Sequence, residues 1–181
     1  MKKYINFFPL FVFILIILGF FYLTIMKKDP YKLSSVLIEK KIPDFETNSL
    51  FEDKIFINDL VFNNEVVLVN FFASWCIPCI AEHKYLKLLS EEKIVKLIGI
   101  NYKDNKINAL EWIENYGNPY SNIGVDFDGR IAIEWGVYGI PESFIISKKN
   151  IIKYKIVGPI TEENYDDLLK NIKKISAENE N

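Results

Sequence analysis

The longest apolar pattern in the chain lies at its start, where 23 consecutive uncharged residues run from Tyr4 to Met26. Two lysines precede this run and two follow it. As a helix rising about 1.5 Å per residue, it would be about 34 Å long and could cross a hydrocarbon core of about 30 Å. A cleaved signal peptide is the alternative, but bulky residues stand where a small-x-small cleavage site would be expected. The pattern predicts an uncleaved transmembrane signal-anchor within residues 1–28.

The remainder of the chain divides by polarity into three parts. Residues 29–41 are mostly polar and predict a linker, residues 42–176 carry the periodic patterns of a folded domain, and residues 177–181 form a polar tail. Because lysines flank the apolar run on both sides, the orientation in the membrane is only weakly encoded. We expect the short N-terminus inside and the domain outside.

Two apolar runs, Val66–Phe72 and Ile94–Asn101, are typical of strands buried on both faces. Each is followed by apolar residues at helical spacing, the second time over Ile107–Tyr116. Strand–helix–strand–helix order predicts a right-handed parallel crossover, with helices packed on the faces of one sheet.

Shorter patterns complete the predicted α/β fold, a mixed central sheet flanked by helices. They comprise an N-terminal hairpin within residues 45–57, an edge strand at Ser121–Val125, a short helix at Gly129–Trp135, an antiparallel hairpin of Ser143–Ser147 with Ile151–Val157, and a final helix from about Thr161 with Leu168, Leu169, Ile172 and Ile175 as its core stripe.

The two cysteines, Cys76 and Cys79, stand where the first buried strand gives way to a helix. A Cys-x-x-Cys pair in this position indicates a dithiol redox site. The helix N-terminus carries unpaired N–H groups and a partial positive charge, which stabilise a thiolate on the first cysteine. Since the thiolate is the species that attacks disulfides, Cys76 is the predicted nucleophile and Cys79 the resolving thiol.

Two other interpretations of the cysteines are open. A purely structural disulfide would close a very small loop and so constrain the unfolded chain little. A zinc site would need four ligands, and Cys76, Cys79 and His83 would require a carboxylate as the fourth. The strand–Cys-x-x-Cys–helix order favours redox chemistry, with no cofactor beyond the cysteine pair.

The distribution of charge along the chain serves only to exclude one class of partner, nucleic acids. All 24 acidic residues and 18 of the 22 basic ones follow Lys28, so this part of the chain has a net charge of −6. A nucleic-acid footprint would need clustered Lys and Arg on one face, and the sequence has no such cluster. We therefore expect no nucleic-acid partner.

Taken together, the motifs resemble the thioredoxin fold and, within it, the membrane-anchored thiol:disulfide proteins of cytochrome c maturation, the CcmG/DsbE family. The likeness is carried by five segments: Trp75-Cys76-x-Pro78-Cys79, Ala81-Glu82-His83, Gly99-Ile100-Asn101-Tyr102-Lys103-Asp104, Gly117-Asn118-Pro119-Tyr120, and Gly136-Val137-Tyr138-Gly139-Ile140-Pro141-Glu142-Ser143-Phe144.

Four residues around the cysteines are expected to support their chemistry, the first two of them from the resemblance. Pro141 matches the position of a cis-proline opposite the dithiol, and its missing N–H would leave neighbouring backbone free for an extended substrate. Asn70 stands where ordinary thioredoxins carry a buried aspartate. Glu82, one helical turn after Cys79, is expected to supply the nearby acidic function together with Glu142. A carboxylate there would disfavour the Cys79 thiolate until a mixed disulfide forms.

Three further residues belong to the same region of the sequence. Pro78 lies inside the Cys-x-x-Cys motif as part of the resemblance. Trp75 is expected to cover the dithiol and to offer a flat contact surface. His83, the only histidine, is expected on the helix surface, without an assigned role.

The resemblance implies a periplasmic reductase held by a single-pass anchor in a bacterial inner membrane. Its substrate would be the haem-binding Cys-x-x-Cys-His disulfide of an apocytochrome c, reached directly or through a partner thiol protein. A membrane electron donor of the thiol-reducing pathway would re-reduce it, and residues 4–26 would contact the bilayer.

Four other functions are open at this stage. The domain could be a general extracytoplasmic thiol reductase for other substrates, or a non-enzymatic module that docks apocytochrome. An oxidase would differ in its redox potential. A peroxidatic function is disfavoured, because peroxidases of this fold use a Pro-x-x-x-Thr/Ser-x-x-Cys context and Phe72-Ala73-Ser74-Trp75 precedes Cys76 here.

Overall fold

The computed structural model describes residues 8–25, 36–51, 55–57 and 64–178. The chain divides into two compact units, Met1–Lys32 and Leu33–Asn181. In the first unit, helix α1 (Phe8–Ile25) covers 18 residues of the apolar run. No helix among the described residues is both long and apolar enough to span a membrane. The rest of the predicted anchor lies outside the described residues.

The second unit has the predicted α/β architecture. Its elements are β1 (Glu46–Asn48), β2 (Ile55–Ile57), β3 (Val67–Phe72), α2 (Ile77–Glu92), β4 (Lys96–Tyr102), α3 (Lys106–Tyr116), β5 (Asn122–Asp126), α4 (Arg130–Glu134), β6 (Glu142–Ile146), β7 (Ile152–Val157) and α5 (Glu162–Glu178). Strands β1 and β2 form the predicted antiparallel hairpin. The other five form one mixed sheet in the order β5-β4-β3-β6-β7.

Strand β3 lies at the centre of the sheet, and all six of its residues are buried. It pairs in parallel with β4 and antiparallel with β6, as the crossover and the closing hairpin predict. The register places Phe71 opposite Glu142. The start of β6 therefore lies beside the end of β3, which leads directly into the cysteine motif.

Each face of the sheet carries its own core. Leu68, Phe72 and Ile145 lie on the first face, against buried residues of α2, α3 and α5. The second face is covered by α4 and the chain before β1, and its largest buried side chain is Trp135. Alternate residues of a strand point to opposite faces of the sheet. The side chain of Ser143 therefore lies on the first face and that of Glu142 on the second.

The predicted linker is shorter than expected at its C-terminal end. Leu37 and Ile38 pack against the second core. Glu39 N–H donates to the Ile152 carbonyl at 2.8 Å, and Ile152 N–H donates to the Lys40 carbonyl at 2.9 Å. This segment covers the outer edge of β7, whose unpaired backbone groups would otherwise be exposed. Residues 37–41 thus belong to the folded unit.

The β6–β7 hairpin contains one irregularity. Ile145 faces Tyr154 and Ile146 faces Ile152, so Lys153 is an extra, unpaired residue of β7. A bulge of this kind shifts the alternation of side chains along the strand. As a result Lys155 lies opposite Phe144, on the face of the second core.

Candidate active site

The two cysteines form a disulfide at the N-terminus of α2, with their Cα atoms 5.3 Å apart. Cys76 is the N-cap residue, in an extended conformation, and its sulfur accepts the N–H of Cys79 at 3.2 Å. Pro78 lies in the first turn, where its missing N–H costs no helical hydrogen bond. The predicted placement of a dithiol at a helix N-terminus is therefore present.

Both cysteines are buried in the disulfide form. Cys76 exposes 3% of its surface and Cys79 exposes 1%. The residues on either side of Cys76 are exposed and apolar, with Trp75 at 56% and Ile77 at 79%.

The carboxylate of Asp104, just after β4, fixes the turn before the cysteines. Asp104 accepts hydrogen bonds from the N–H and the hydroxyl of Ser74, at 2.6 and 2.8 Å, and from the amide of Asn101 at 2.9 Å. The Trp75 indole N–H donates to the Lys103 carbonyl at 3.1 Å. The Asn-Tyr-Lys-Asp motif thereby holds both Ser74 and Trp75.

Pro141 lies next to this turn. The Ile140–Pro141 peptide bond is cis, as the resemblance implies. Because Phe71 faces Glu142 across the sheet, Pro141 lies at the level of Phe72, just before the cysteine turn. The carbonyl of Pro141 accepts the N–H of Gly158 at 3.0 Å.

A buried polar network is centred on Asn70 and includes Glu82, which lies one turn after Cys79 in α2. The amide nitrogen of Asn70 donates to Glu82 Oε1 at 2.8 Å and to Ser143 Oγ at 3.0 Å. Its oxygen accepts the Tyr120 hydroxyl at 2.7 Å. The second oxygen of Glu82 accepts the N–H of Ile160 at 3.0 Å. Every polar atom of the Asn70 and Glu82 side chains thus has a partner.

Burial dominates the electrostatics of this network. Glu82 is fully buried, and loss of hydration raises its pKa from 4.5 to about 7, although the N–H donors from Ile160 and Asn70 oppose the shift. The pKa of Tyr120 is also well above its ordinary value, first because of burial and then because of the Glu82 charge. Glu82 therefore differs from an ordinary exposed acid in the first turn of a helix, and it can exchange a proton near neutral pH.

Glu142 does not join this network. It lies on the opposite face of the sheet, where Oε2 is 2.8 Å from the ammonium of Lys155 and both side chains are buried. Its other oxygen accepts the N–H of Tyr138 at 3.3 Å. The expectation that Glu82 and Glu142 act together near Cys79 is therefore wrong, because the sheet separates them and a lysine neutralises one of them.

His83 is buried, so its expected position on the helix surface is also wrong. It exposes 3% of its surface, its Nε2 lies 2.9 Å from the Gly117 carbonyl, and its ring packs edge-on against Trp112 at 4.5 Å. Burial lowers its pKa. Within residues 8–25, 36–51, 55–57 and 64–178, no group of three or more His, Cys, Asp or Glu side chains could hold a metal ion. The alternative of a zinc site is contradicted by the Cys76–Cys79 bond.

Several site residues were not assigned roles from the sequence: Ser74, Asp104, Tyr120, Ser143 and Lys155. The first four lie inside or directly beside the segments that carry the resemblance, which is the signal that could have identified them. Lys155 gave no such signal, because a lysine in an amphipathic strand ordinarily faces solvent.

Comparison with known proteins agrees with this geometry. The Redoxin family matches residues 38–169. The thiol:disulfide interchange protein DsbE of Vibrio cholerae serotype O1 is 39% identical over 173 residues, covering 93% of each chain. The thiol:disulfide interchange protein CycY of Rhizobium leguminosarum bv. viciae is 48% identical over 105 residues, covering 58% of this chain and 56% of that protein.

The fold is also found among solved structures. A crystal structure from Chlorobium tepidum, described as a candidate thiol:disulfide interchange protein DsbE, superposes with a TM-score of 0.70 at 20% identity and covers 78% of this chain and 99% of that one. At this identity the likeness concerns the fold alone. The match over residues 38–169 and the extent of the relationship to DsbE show that this chain belongs to the Redoxin family, as a thiol:disulfide oxidoreductase of the DsbE type.

Proposed function

We propose that the protein is a membrane-anchored periplasmic reductase that reduces the haem-binding Cys-x-x-Cys-His disulfide of an apocytochrome c, directly or through a partner thiol protein. The observation that carries the reductase mechanism is the Cys76–Cys79 pair at the N-terminus of α2, followed one turn later by a buried carboxyl group, Glu82, with a pKa of about 7. The substrate is inferred from the kinship with the DsbE proteins and from the family resemblance of the sequence.

The first step is attack by the Cys76 thiolate on one sulfur of the substrate disulfide. A mixed disulfide forms, the substrate S–S bond breaks, and the second substrate sulfur leaves as a thiolate. The free N–H groups at the start of α2 favour the Cys76 thiolate, as the contact from Cys79 N–H to its sulfur illustrates.

The second step is attack by Cys79 on the Cys76 sulfur. It restores the Cys76–Cys79 disulfide and releases the other substrate thiol, so two electrons pass to the substrate. Cys79 exposes only 1% of its surface and must lose its proton in an apolar environment. Glu82, one turn further along the same helix, is suited to accept that proton because its pKa lies near neutral pH. While ionised, the same carboxylate disfavours a negative charge on Cys79 until Glu82 has taken up the proton.

Asn70 and Pro141 act as supporting residues in this mechanism. Asn70 holds the Glu82 carboxyl group through a 2.8 Å hydrogen bond and carries no charge of its own. Pro141 offers no backbone N–H beside the cysteine turn, which leaves room for an extended substrate. A membrane dithiol carrier would return two electrons to the Cys76–Cys79 disulfide after each cycle.

The membrane anchor belongs to the proposal as well. Helix α1 has 18 residues, about 27 Å at 1.5 Å per residue, which is less than a hydrocarbon core of about 30 Å. The uncharged sequence continues beyond both ends of this helix, over residues 4–26. A helix over the whole run would be long enough, with the domain of residues 42–176 on the periplasmic side of the inner membrane.

The test is to trap the mixed disulfide with full-length protein in detergent micelles. Reduced Cys79→Ser protein should form a thiol-sensitive adduct with a peptide that contains Cys-Ala-Ala-Cys-His closed as a disulfide. The matched Cys76→Ser protein should form none. An adduct on Cys76→Ser instead would reverse the two roles.

The alternatives give different results in the same assay. A general reductase would trap an unrelated disulfide peptide as efficiently as the Cys-Ala-Ala-Cys-His peptide. A docking module would bind the peptide without any adduct and without loss of affinity in the double serine variant. Either result would refute the proposed substrate or the proposed chemistry.

A further inference from the structure

The second core contains a lysine whose side chain is as buried as the aliphatic residues around it. The Lys155 side chain exposes 1% of its surface and its partner, the Glu142 side chain, exposes 2%. An ammonium group without water is costly unless all its contacts are good. The contacts of this group therefore indicate what it holds in place.

The ammonium of Lys155 has four contacts: one is the Phe144 ring in the second core, 5.2 Å away, one is Glu142, and two reach one loop. It lies 2.8 Å from Glu142 Oε2, donates to the Gly136 carbonyl at 2.7 Å, and lies 4.4 Å from the centre of the Tyr138 ring. Glu142 adds a further link to the loop, because its Oε1 accepts the N–H of Tyr138. The buried pair therefore fixes residues 136–138 against the start of β6.

The loop held in this way leads directly to the cis-proline. Tyr138 precedes Pro141 by three residues, and 74% of its surface is exposed although the lysine lies against its ring. Pro141 in turn lies beside the turn that carries Cys76, by the register of β6 against β3. An aromatic ring held by a cation and otherwise open to solvent is suited to contact a peptide.

Stability alone does not account for this arrangement. A buried ion pair contributes little net stability compared with apolar residues of similar size. An aliphatic residue opposite Phe144 would fill the same space in the second core, but it could not donate a hydrogen bond to the Gly136 carbonyl. The specific gain from the lysine is the position of the loop.

We propose that Lys155 is a positioning residue for peptide substrates: its ammonium, between Glu142 and the Gly136 carbonyl, fixes the loop of residues 136–138 as part of the surface on which a disulfide peptide docks beside Cys76. This inference rests on the proposed function, since it assigns the docking surface of that same site. Lys155 touches neither sulfur, and the exchange chemistry of the dithiol with small disulfides does not depend on it.

The experiment compares two substrates with the reduced full-length protein in detergent micelles. Oxidised glutathione is small and reports on the dithiol itself. A peptide containing Cys-Ala-Ala-Cys-His as a disulfide also needs the docking surface. Lys155→Met should lower the second-order rate constant for oxidation of the protein by the peptide disulfide roughly ten- to hundredfold, and change the rate constant with oxidised glutathione by less than about twofold. The matched control is Lys153→Met on the same strand, whose pair with Glu39 is partly exposed, and it should change neither rate.

A second variant separates positioning from charge compensation. Lys155→Met alone leaves Glu142 unpaired in the core and so lowers stability, whereas the double variant with Glu142→Gln removes both charges. If the loop contact matters, the double variant regains stability but stays slow with the peptide. Recovery of the peptide rate would mean that Lys155 only neutralises Glu142, and it would overturn the proposal.

The remaining outcomes are also decisive. Equal slowing with both substrates, or no slowing with either, refutes the positioning role. A parent protein that reduces glutathione but shows no preference for the peptide has no docking surface for Lys155 to organise, which refutes this inference and leaves the reductase activity intact. A parent that reduces neither refutes the proposed function itself.

Discussion

Replacing Glu82 with glutamine tests the electrostatics of the site through the stability of the domain. The carboxyl group is fully buried and accepts N–H groups from Asn70 and Ile160. Its pKa is about 7 in the folded protein, against an ordinary value of 4.5. Folding therefore costs free energy whenever the group is ionised in the unfolded chain.

The sign and the pH range follow from these two pKa values. Below pH 4.5 both states hold the proton and the group costs nothing through ionisation. Between pH 4.5 and about 7 the unfolded chain has lost the proton and the folded protein keeps it, so stability falls as the pH rises. At about 1.36 kcal/mol per pH unit, the loss above pH 7 amounts to about 3 kcal/mol.

The measurement is the free energy of unfolding of the oxidised full-length protein by urea in dodecyl maltoside micelles, at intervals from pH 4.5 to 8. Glutamine has no proton to release, so the parent should lose about 3 kcal/mol relative to Glu82→Gln over this range, whatever the absolute stability of the variant. Glu91→Gln, an exposed position on the same helix, is the control and should run parallel to the parent. Parallel curves for Glu82→Gln as well would show that burial does not shift this carboxyl group, and the proton-acceptor role would lose its basis.

Three other predictions concern separate parts of the chain. Asp104→Asn should cost about 2 kcal/mol of unfolding free energy, because an amide cannot accept both Ser74 donors and the other N–H groups, while Asp128→Asn at an exposed position should leave the unfolding free energy unchanged within error. Burial lowers the pKa of His83 in the folded protein, so the unfolded chain binds the proton first as the pH falls below 6.5, and the free energy of unfolding decreases. His83→Gln cannot bind this proton, so its free energy of unfolding should fall less steeply with acid than that of the parent. An equally steep fall would contradict this. Leu15→Arg places a charge in the uncharged run at a cost of about 3 kcal/mol, so membrane fractions washed with alkaline carbonate should retain less protein; equal retention would refute the anchor.

The sheet was predictable because its signals are local. The apolar run into β3 and the Cys-x-x-Cys pair after it define the centre of the fold within about a dozen residues. The partners of Asn70 were not predictable in this way. Tyr120 and Ser143 lie 50 and 73 residues away along the chain, so only the tertiary fold brings them to the amide.

Polar residues that the fold buries account for the errors. Glu82 and His83 are polar residue types that are ordinarily assigned to solvent, yet their spacing from Cys79 and Leu86 places both on the buried face of α2. Glu142 is adjacent to Pro141 in sequence, but strand alternation directs it away from the dithiol. Burial of a charge depends on a distant partner such as Lys155, which no local pattern encodes.

Because of the bulge, β7 contains one residue, Lys153, that the ladder with β6 does not need. Removing Lys153 would leave Ile152 opposite Ile146 and Tyr154 opposite Ile145, so the ladder would become regular and Lys155 would still meet Phe144. Shortening a strand by one residue ordinarily turns every following side chain to the wrong face. Here the loss would be limited to the ion pair with Glu39, so the chain can be shortened at this point without disturbing the buried ammonium.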